Sequence, residues 1–232
     1  MSAVWVIVAV SGSLLMGALW GVYGRLNQST EGILLAVAGG ALMLSLVLEL
    51  ILPATELISV WIVILWVFMG ALLFTLVDQW LENRSKNDQG GGLLAAIVLD
   101  GLPENLALGV AMIATQPIHL AALSGSIILS NLPEAASGAK KMVEAGHGRV
   151  KILVLWGVTA LLLVLAALAG YFFMADVAPE VLAMIKCFAA GAVVASLSTE
   201  VLPKAYREDS KWAGMATTLG FALALWLNQL GN

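Results

Sequence analysis

The sequence predicts an all-α integral membrane protein with eight transmembrane helices, and three observations carry this prediction. Hydrophobic residues make up 61% of the 232 residues and charged residues 11%, whereas soluble domains carry roughly 25% charged residues. The mean hydropathy is +0.97, and the apolar residues form eight runs of about the 20 residues that a spanning helix needs. The basic residues cluster in alternate loops.

The eight apolar segments follow one another through short connections, which predicts a single transmembrane domain over residues 1–232. No basic residue precedes the first segment, so we expect a retained helix rather than a cleaved signal peptide. Three helices (about 3–80), a central pair (about 92–139) and three further helices (about 152–230) are expected. The segments cover about 3–24, 32–52, 58–80, 92–114, 118–139, 152–174, 181–203 and 212–230.

The positions of the basic residues predict the orientation of the helices. Every Lys and Arg except Lys186, which lies just inside segment seven, falls in an odd-numbered loop. Because cytoplasmic loops carry the excess of Lys and Arg, we expect the odd loops to be cytoplasmic and both termini to be outside. The residues concerned are Arg25 in loop one, Arg84 and Lys86 in loop three, Lys140, Lys141, Arg149 and Lys151 in loop five, and Lys204, Arg207 and Lys211 in loop seven.

Two pairs of segments resemble each other. Residues 38–41 of segment two (Ala-Gly-Gly-Ala) align with residues 189–192 of segment seven (Ala-Ala-Gly-Ala), and Glu49 aligns with Glu200 in the same register. These segments run in opposite directions under the topology above, as do segments four and five, so the repeat is inverted. Inverted repeats with interrupted helices are typical of transporters, which predicts a 3+2+3 arrangement. Glu49 and Glu200 are either steps along an ion pathway or interfacial residues that reach water.

Segments four and five each contain a Leu-Pro-Glu sequence within an apolar stretch. Segment four reads Asp100-Gly-Leu-Pro-Glu104-Asn and segment five reads Ser130-Asn-Leu-Pro-Glu134-Ala. The first and fifth residues of each motif are four apart, so they share one helix face. Each proline removes a backbone N–H and frees the carbonyl four residues before it. The two segments therefore predict an oxygen-rich cavity.

The acidic side chains of these motifs are costly inside a membrane. A charge at a helix centre costs about 2.5–3.5 kcal/mol, and we expect no Lys, Arg or His at a comparable depth to neutralise Asp100, Glu104 and Glu134. They are therefore expected either to be protonated or to bind a cation. The alternative is structural: protonated carboxyl groups bonded across the helices, with the prolines as kinks.

This pattern resembles the ZIP family of divalent metal permeases over nearly the whole chain. That family has eight helices in a three-two-three arrangement with inverted repeats and both ends outside. Its helix four carries His-Asn-x-Pro-Glu-Gly and its helix five x-x-Ile-Pro-Glu-Gly, which match the positions from Asp100 and from Ser130 onward. The Ala-Gly-Gly-Ala-x-Met run ending at Met43, with Glu49 after it, resembles the family's helix two. The run Glu200-Val-Leu-Pro, with the Ala-Gly-Ala before it, resembles its helix seven.

The resemblance implies a metal site between helices four and five. Glu104 and Glu134 would bridge the metal ion. Asp100 would replace the histidine of the family's helix four, and Ser130 would replace the polar ligand of its helix five. The protein is then expected to carry a divalent metal ion (Zn, Fe or Mn) as its substrate, in the inner (cell) membrane of a bacterium or archaeon.

The resemblance also implies secondary ligands, and the chain departs from the family around them. Asn131 would line a second, adjacent metal position, and Met43 would be a weak sulfur ligand near the first. Helix six has no carboxylate between 152 and 174, where the family often has one, and the loop between helices three and four has no His. Oxygen ligands suit hard cations, whereas imidazole suits zinc. We therefore expect one site that favours Mn²⁺, Fe²⁺ or another hard divalent ion over Zn²⁺.

Other functions stay open beside metal transport. The chain is alternatively a ZIP-like transporter of another substrate, an intramembrane aspartyl-type enzyme, or a non-transporting metal receptor. An aspartyl dyad needs two facing carboxylates and an activated water, which Asp100 or Glu104 with Glu134 could imitate. His119 and His147 lie at a helix end and in a loop, too far away to serve these carboxylates. Without another catalytic signature, we expect no enzyme and no catalytic residue.

Few other partners are expected. The short connections leave no room for a nucleic-acid-binding unit, and no organic cofactor is implied. The single cysteine, Cys187, excludes an internal disulfide and a cysteine-cluster metal site, and we expect it to be a packing residue. Membrane lipid surrounds the helices, and the sequence leaves open whether the protein is a monomer or a homodimer.

Overall fold

The structure is a computed structural model of the 232-residue chain. It describes the backbone over residues 2–25, 27–85, 91–113, 117–174 and 176–229, and the side chains over residues 4–25, 27–81, 101–113, 120–121, 123–174 and 176–229. All secondary structure in these ranges is helical, as the sequence predicts. The helices are α1 (Ser2–Tyr23), α2 (Gln28–Leu57), α3 (Val60–Ser85), α4 (Gly91–Ala111), α5 (Pro117–Glu144), α6 (Arg149–Phe173), α7 (Pro179–Glu208) and α8 (Ala213–Gln229).

The exterior of the helix bundle is suited to lipid. Among the described residues, five helices are long and apolar enough to cross a membrane by length and composition, namely α1, α2, α3, α6 and α7. Trp5, Trp61, Phe68 and Phe173 are between 70% and 77% exposed on the outside. Extensive exposed apolar surface of this kind marks contact with a membrane or a partner. The chain is thus a helical membrane protein.

Helices α2 and α7 extend beyond the predicted segments, and each contains a π turn. The turns are Val47–Ile51 and Leu197–Val201, and they carry the matched residues Glu49 and Glu200. A proline follows each π turn within two residues. Because proline lacks an N–H and clashes with the carbonyl four residues earlier, the wider turn lets the helix continue past it. Such π turns within α-helices are frequent at functional sites.

Helices α4 and α5 continue through the prolines of their Leu-Pro-Glu motifs. Pro103 lies inside α4 and Pro133 inside α5, and neither helix is broken at that point. The irregular helices of this bundle are therefore α2 and α7 rather than the central pair.

The helices pack in matched pairs. Helix α1 packs on α5 as α6 packs on α4, α2 packs on α8 as α7 packs on α3, and α2 packs on α5 as α7 packs on α4. The contacts of α1 with α6 and of α2 with α7 complete the bundle.

Two glycines of the sequence repeat match in the same way. A Cβ at Gly40 would overlap the carbonyl oxygen of Thr217 on α8, and a Cβ at Gly191 would overlap that of Val67 on α3.

Hydrogen bonds join the first turn of α2 to the link between α7 and α8. Ser29 donates a hydrogen bond to one carboxylate oxygen of Asp209, and the backbone N–H groups of Lys211 and Trp212 donate to the other at 3.1 and 3.0 Å. These hydrogen bonds, that of Ser29 above all, hold the pKa of Asp209 below its usual range. Gly32 permits the close approach, since a Cβ there would lie 2.8 Å from the backbone nitrogen of Asp209.

Replacing Gly40 or Gly191 by alanine should destabilise the fold, because the added methyl group overlaps a carbonyl oxygen of the neighbouring helix. Overpacking of this kind costs about 1–3 kcal/mol, which would lower the unfolding temperature of the detergent-solubilised protein. Gly125→Ala is the matched control, since a Cβ at Gly125 meets nothing within 4 Å. Equal unfolding temperatures for the three variants would contradict the close packing.

Candidate cation site

Two acidic side chains of the Leu-Pro-Glu motifs lie near each other between α4 and α5. Glu104 is 4% exposed and Glu134 is half-buried, and the two carboxylates are close enough to repel each other electrostatically. Each directly follows the proline within its helix. The structure thus brings together the two residues that the resemblance gives as metal-bridging.

Two further oxygen atoms in these motifs have no hydrogen-bond partner. Asn105 is fully buried and donates from Nδ2 to the carbonyl of Gly101 at 2.9 Å, which leaves its Oδ1 without a donor. The Oγ of Ser130, which is 1% exposed, also lacks a partner. A buried polar group without a partner costs about 1–3 kcal/mol. Oxygen atoms in this state suit a ligand that brings positive charge.

The remaining predicted ligands have other surroundings. The backbone of Asp100 belongs to α4, but its side chain lies outside the described residues. Asn131 is buried and donates from Nδ2 to the carbonyl of Val10 on α1 at 3.2 Å, a carbonyl that also accepts from Ser13. Met43 is half-buried and packs against the main hydrophobic core. Asn131 therefore helps to hold α1 against α5, and Met43 fills core space.

A basic residue lies within electrostatic range of Glu134, whereas the sequence predicts none near enough to neutralise it. Lys204 of α7 interacts electrostatically with Glu134, as does Glu200. Its Nζ also lies 3.0 Å from Oε1 of Glu31 on α2, and the lysine side chain is only 21% exposed. The sequence misses this residue because the predicted segment ends at about 203, whereas α7 continues to Glu208 and includes Lys204.

Glu49 belongs to a second group of charges. It is buried, accepts a hydrogen bond from Nδ2 of Asn228 on α8 at 3.2 Å, and interacts electrostatically with Lys186 of α7. Lys186 is also buried and lines a cavity of about 250 Å³ between ends of α2, α4 and α7. Of the two predicted pathway residues, Glu200 therefore lies with Glu134, and Glu49 lies with the other lysine of α7.

The two motifs carry oxygen donors. They are the carboxylates of Glu104 and Glu134, the amide oxygen of Asn105 and the hydroxyl group of Ser130, and the carboxylate of Glu200 lies within electrostatic range of Glu134. Among the described side chains, no three His, Cys, Asp or Glu residues form a metal-ligand group. Cys187 is buried in a separate apolar cluster, as expected of a packing residue. Such a donor set suits hard divalent cations better than soft ones.

Three residues in this site or next to it are missing from the sequence prediction. Asn105 directly follows Glu104 in its motif, and that position is the signal that points to it. Glu31 lies just before predicted segment two, and Lys204 lies just after predicted segment seven. Because both were expected at helix margins, no spacing in the sequence links them.

Replacing Asn131 by leucine should loosen the contact between α1 and α5, since the carbonyl of Val10 loses its donor from α5. Hydrogen bonds between membrane helices contribute about 0.6–1.7 kcal/mol, which would lower the unfolding temperature in detergent. Ser198→Ala is the control, because this exposed hydroxyl donates only within α7, to the carbonyl of Val194 at 2.8 Å. An unchanged unfolding temperature for Asn131→Leu would contradict the bridging role.

Comparison with known proteins does not add a relative to this picture. No protein-family model and no curated protein matches the chain. The resemblance to the ZIP family therefore rests on the motifs quoted above.

Proposed function

We propose that the protein transports a divalent metal cation across the membrane, with the binding site between α4 and α5. The observation that carries the proposal is that the carboxylates of Glu104 and Glu134 lie close enough to interact, in motifs that also hold the partnerless oxygens of Asn105 and Ser130. Two carboxylates in an apolar bundle destabilise each other, and a divalent cation between them removes that repulsion. Ionisable residues inside a membrane by default mark ion or proton pathways.

The proposed architecture is eight spans in a 3+2+3 arrangement with both termini outside. The matched packing pairs support an inverted repeat, in which α1 to α3 correspond to α6 to α8 and α4 corresponds to α5. The excess of Lys and Arg in the odd loops supports the orientation. In transporters of this kind the substrate binds near the midplane, at the interface of the repeats, and one unit moves against the other.

The donor set supports a hard divalent ion such as Mn²⁺ or Fe²⁺ over Zn²⁺. The two motifs supply carboxylate, amide and hydroxyl oxygens, and the resemblance adds the carboxylate of Asp100 in place of an imidazole. Carboxylate and carbonyl oxygens suit manganese, whereas imidazole suits zinc. Transport would then be selective for the ion that tolerates an all-oxygen site.

Glu104→Gln and Glu134→Gln should each weaken Mn²⁺ binding at least about 100-fold, a loss of about 2.7 kcal/mol. The amide keeps the volume of the side chain but removes the charge that attracts the cation. Calorimetric titration of the purified protein measures the affinity, and uptake of isotopic manganese into proteoliposomes measures transport.

Glu144→Gln is the matched control, since Glu144 is exposed at the end of α5. This variant should bind and transport Mn²⁺ like the wild type. If Glu104→Gln and Glu134→Gln also behave like the wild type, the site between α4 and α5 is not the cation site.

Asp100→His should shift the preference of the protein from Mn²⁺ toward Zn²⁺, because it exchanges a hard oxygen ligand for an imidazole nitrogen. A change of about tenfold or more in the ratio of the two affinities is expected, which corresponds to about 1.4 kcal/mol. Competition titrations with both metals measure this ratio. A wild type that prefers Zn²⁺, and an Asp100→His variant with the same preference, would overturn the assignment of a hard-ion site.

A further inference from the structure

The charges of the link between α5 and α6 are strongly unbalanced. Residues 140–151 hold four basic residues and one acidic residue, Glu144. Lys141, Arg149 and Lys151 are exposed, and so is Arg25 in the link between α1 and α2. An exposed excess of positive charge of this kind raises the local concentration of anions.

A tight turn holds the charges of this link together. Gly146 has a φ of +83°, which suits glycine, and the N–H of His147 donates to the carbonyl of Met142 at 3.0 Å. This hydrogen bond closes the end of α5 in the manner of a Schellman motif, and α6 then begins at Arg149. The guanidinium carbon of Arg149 lies 5.2 Å from the centre of the Tyr23 ring, at the end of α1. The end of α1 and the start of α6 therefore lie side by side, with the end of α5 one short turn away.

The lipid-facing exterior begins directly beside these basic residues. Val150, between Arg149 and Lys151, is 76% exposed, and Val154, one turn further along α6, is also exposed. Tyr23 is exposed as well, and tyrosine is enriched where a membrane meets water. The basic side chains therefore lie at the level where phospholipid headgroups surround a helical membrane protein.

The link between α7 and α8 lies at the same end of the bundle, but its charges are balanced locally. Residues 204–211 hold three basic and two acidic residues. Nζ of Lys204 lies 3.0 Å from Oε1 of Glu31, which adds a third acidic residue, and Asp209 accepts hydrogen bonds from Ser29 and from two backbone N–H groups. Among the described links at this end, the excess of positive charge therefore belongs to the side of α1, α5 and α6.

We propose that the exposed basic residues around Tyr23 form a basic patch that binds the phosphate groups of anionic membrane phospholipids. The basic patch comprises Arg25, Lys141, Arg149 and Lys151. A guanidinium group can contact an aromatic ring and also bind phosphate oxygens through its N–H groups, and the two lysines supply ammonium donors. Clusters of Lys and Arg beside the end of a membrane helix attract anionic headgroups. None of these residues belongs to the candidate cation site, so the inference does not depend on the proposed transport.

The affinities of the purified full-length protein for phosphatidylglycerol and for phosphatidylcholine with the same acyl chains test this inference. Native mass spectrometry of the protein in a non-ionic detergent measures both. Each basic residue near an anionic headgroup contributes about fivefold in affinity, so Arg149→Gln/Lys151→Gln should bind phosphatidylglycerol about 25-fold more weakly than the wild type. Its affinity for phosphatidylcholine should not change, because the headgroup of that lipid has no net charge.

A second variant separates lost charge from a disturbed contact between α1 and α6. Lys141→Gln/Lys151→Gln keeps the contact of Arg149 with Tyr23 and should show the same loss of affinity for phosphatidylglycerol. Unchanged binding of this lipid by both patch variants would overturn the inference.

Arg207→Gln/Lys211→Gln is the matched control. It removes two exposed basic side chains from the same end of the bundle and leaves the protein with the same net charge as the patch variants. This control should bind phosphatidylglycerol like the wild type. An equal loss in the control and in the patch variants would contradict the basic patch, because binding would then follow net charge alone.

Inorganic phosphate distinguishes a lipid headgroup from a free anion. Phosphatidylglycerol should raise the unfolding temperature of the wild type more than that of the patch variants, whereas inorganic phosphate at the same concentration should raise neither. If inorganic phosphate stabilises the wild type as much as phosphatidylglycerol does, the patch binds a free anion and the assignment to membrane lipid is wrong.

Discussion

The structure depends on keeping carboxylates inside an apolar bundle. Glu31, Glu49 and Glu104 are all buried, and a buried charge that loses its partner costs about 3–5 kcal/mol. Helix α7 supplies a positive charge to two of these carboxylates. Lys204 forms an ion pair with Glu31, and Lys186 interacts electrostatically with Glu49. The two glutamates are as far apart along α2 as the two lysines are along α7, so antiparallel packing brings both pairs together in one register. The register in which α2 packs on α7 is therefore the register that gives these buried carboxylates their positive partners.

That register requires irregular helices and close contacts. A regular α-helix turns about 100° per residue, so the extra residue of each π turn reorients everything that follows it. Lys204 lies after the π turn of α7, and its direction toward Glu31 and Glu134 depends on that turn. Gly40 and Gly191 let α2 and α7 approach α8 and α3 closely enough to hold this geometry. Lys204 and its acidic partners are thus positioned by π turns and glycines, which carry no charge themselves.

The sequence predicts the features of this protein that are local. The helical class and the apolar spans follow from hydropathy, and the proximity of Glu104 and Glu134 follows from the paired Leu-Pro-Glu motifs. The position of Lys204 between helices is not predicted, because hydropathy places a lysine at the end of a membrane span. A lysine that forms an ion pair can nevertheless lie between helices. The π turns are not predicted either, because a proline in an apolar run predicts a kink at the proline itself and not a wider turn before it. The bond from Asn131 to Val10 joins residues 121 positions apart, and only the packed bundle brings them together.

The two halves of the repeat match in how their helices pack but not in where their charged residues lie, and this difference bears on the proposed transport. At one end α2 and α7 are joined through Glu31 and Lys204, whereas the residues that correspond to these two in the repeat, Leu182 and Pro53, line a cavity of about 250 Å³ at the other end. Alternating access requires the two ends of a pathway to open in turn. Each end of the α2–α7 pair carries a lysine of α7 opposite a glutamate of α2, Lys204 with Glu31 and Lys186 with Glu49. Lys204 also lies within electrostatic range of the motif carboxylate Glu134, so a cation bound at that motif would act on the charges at the Lys204 end.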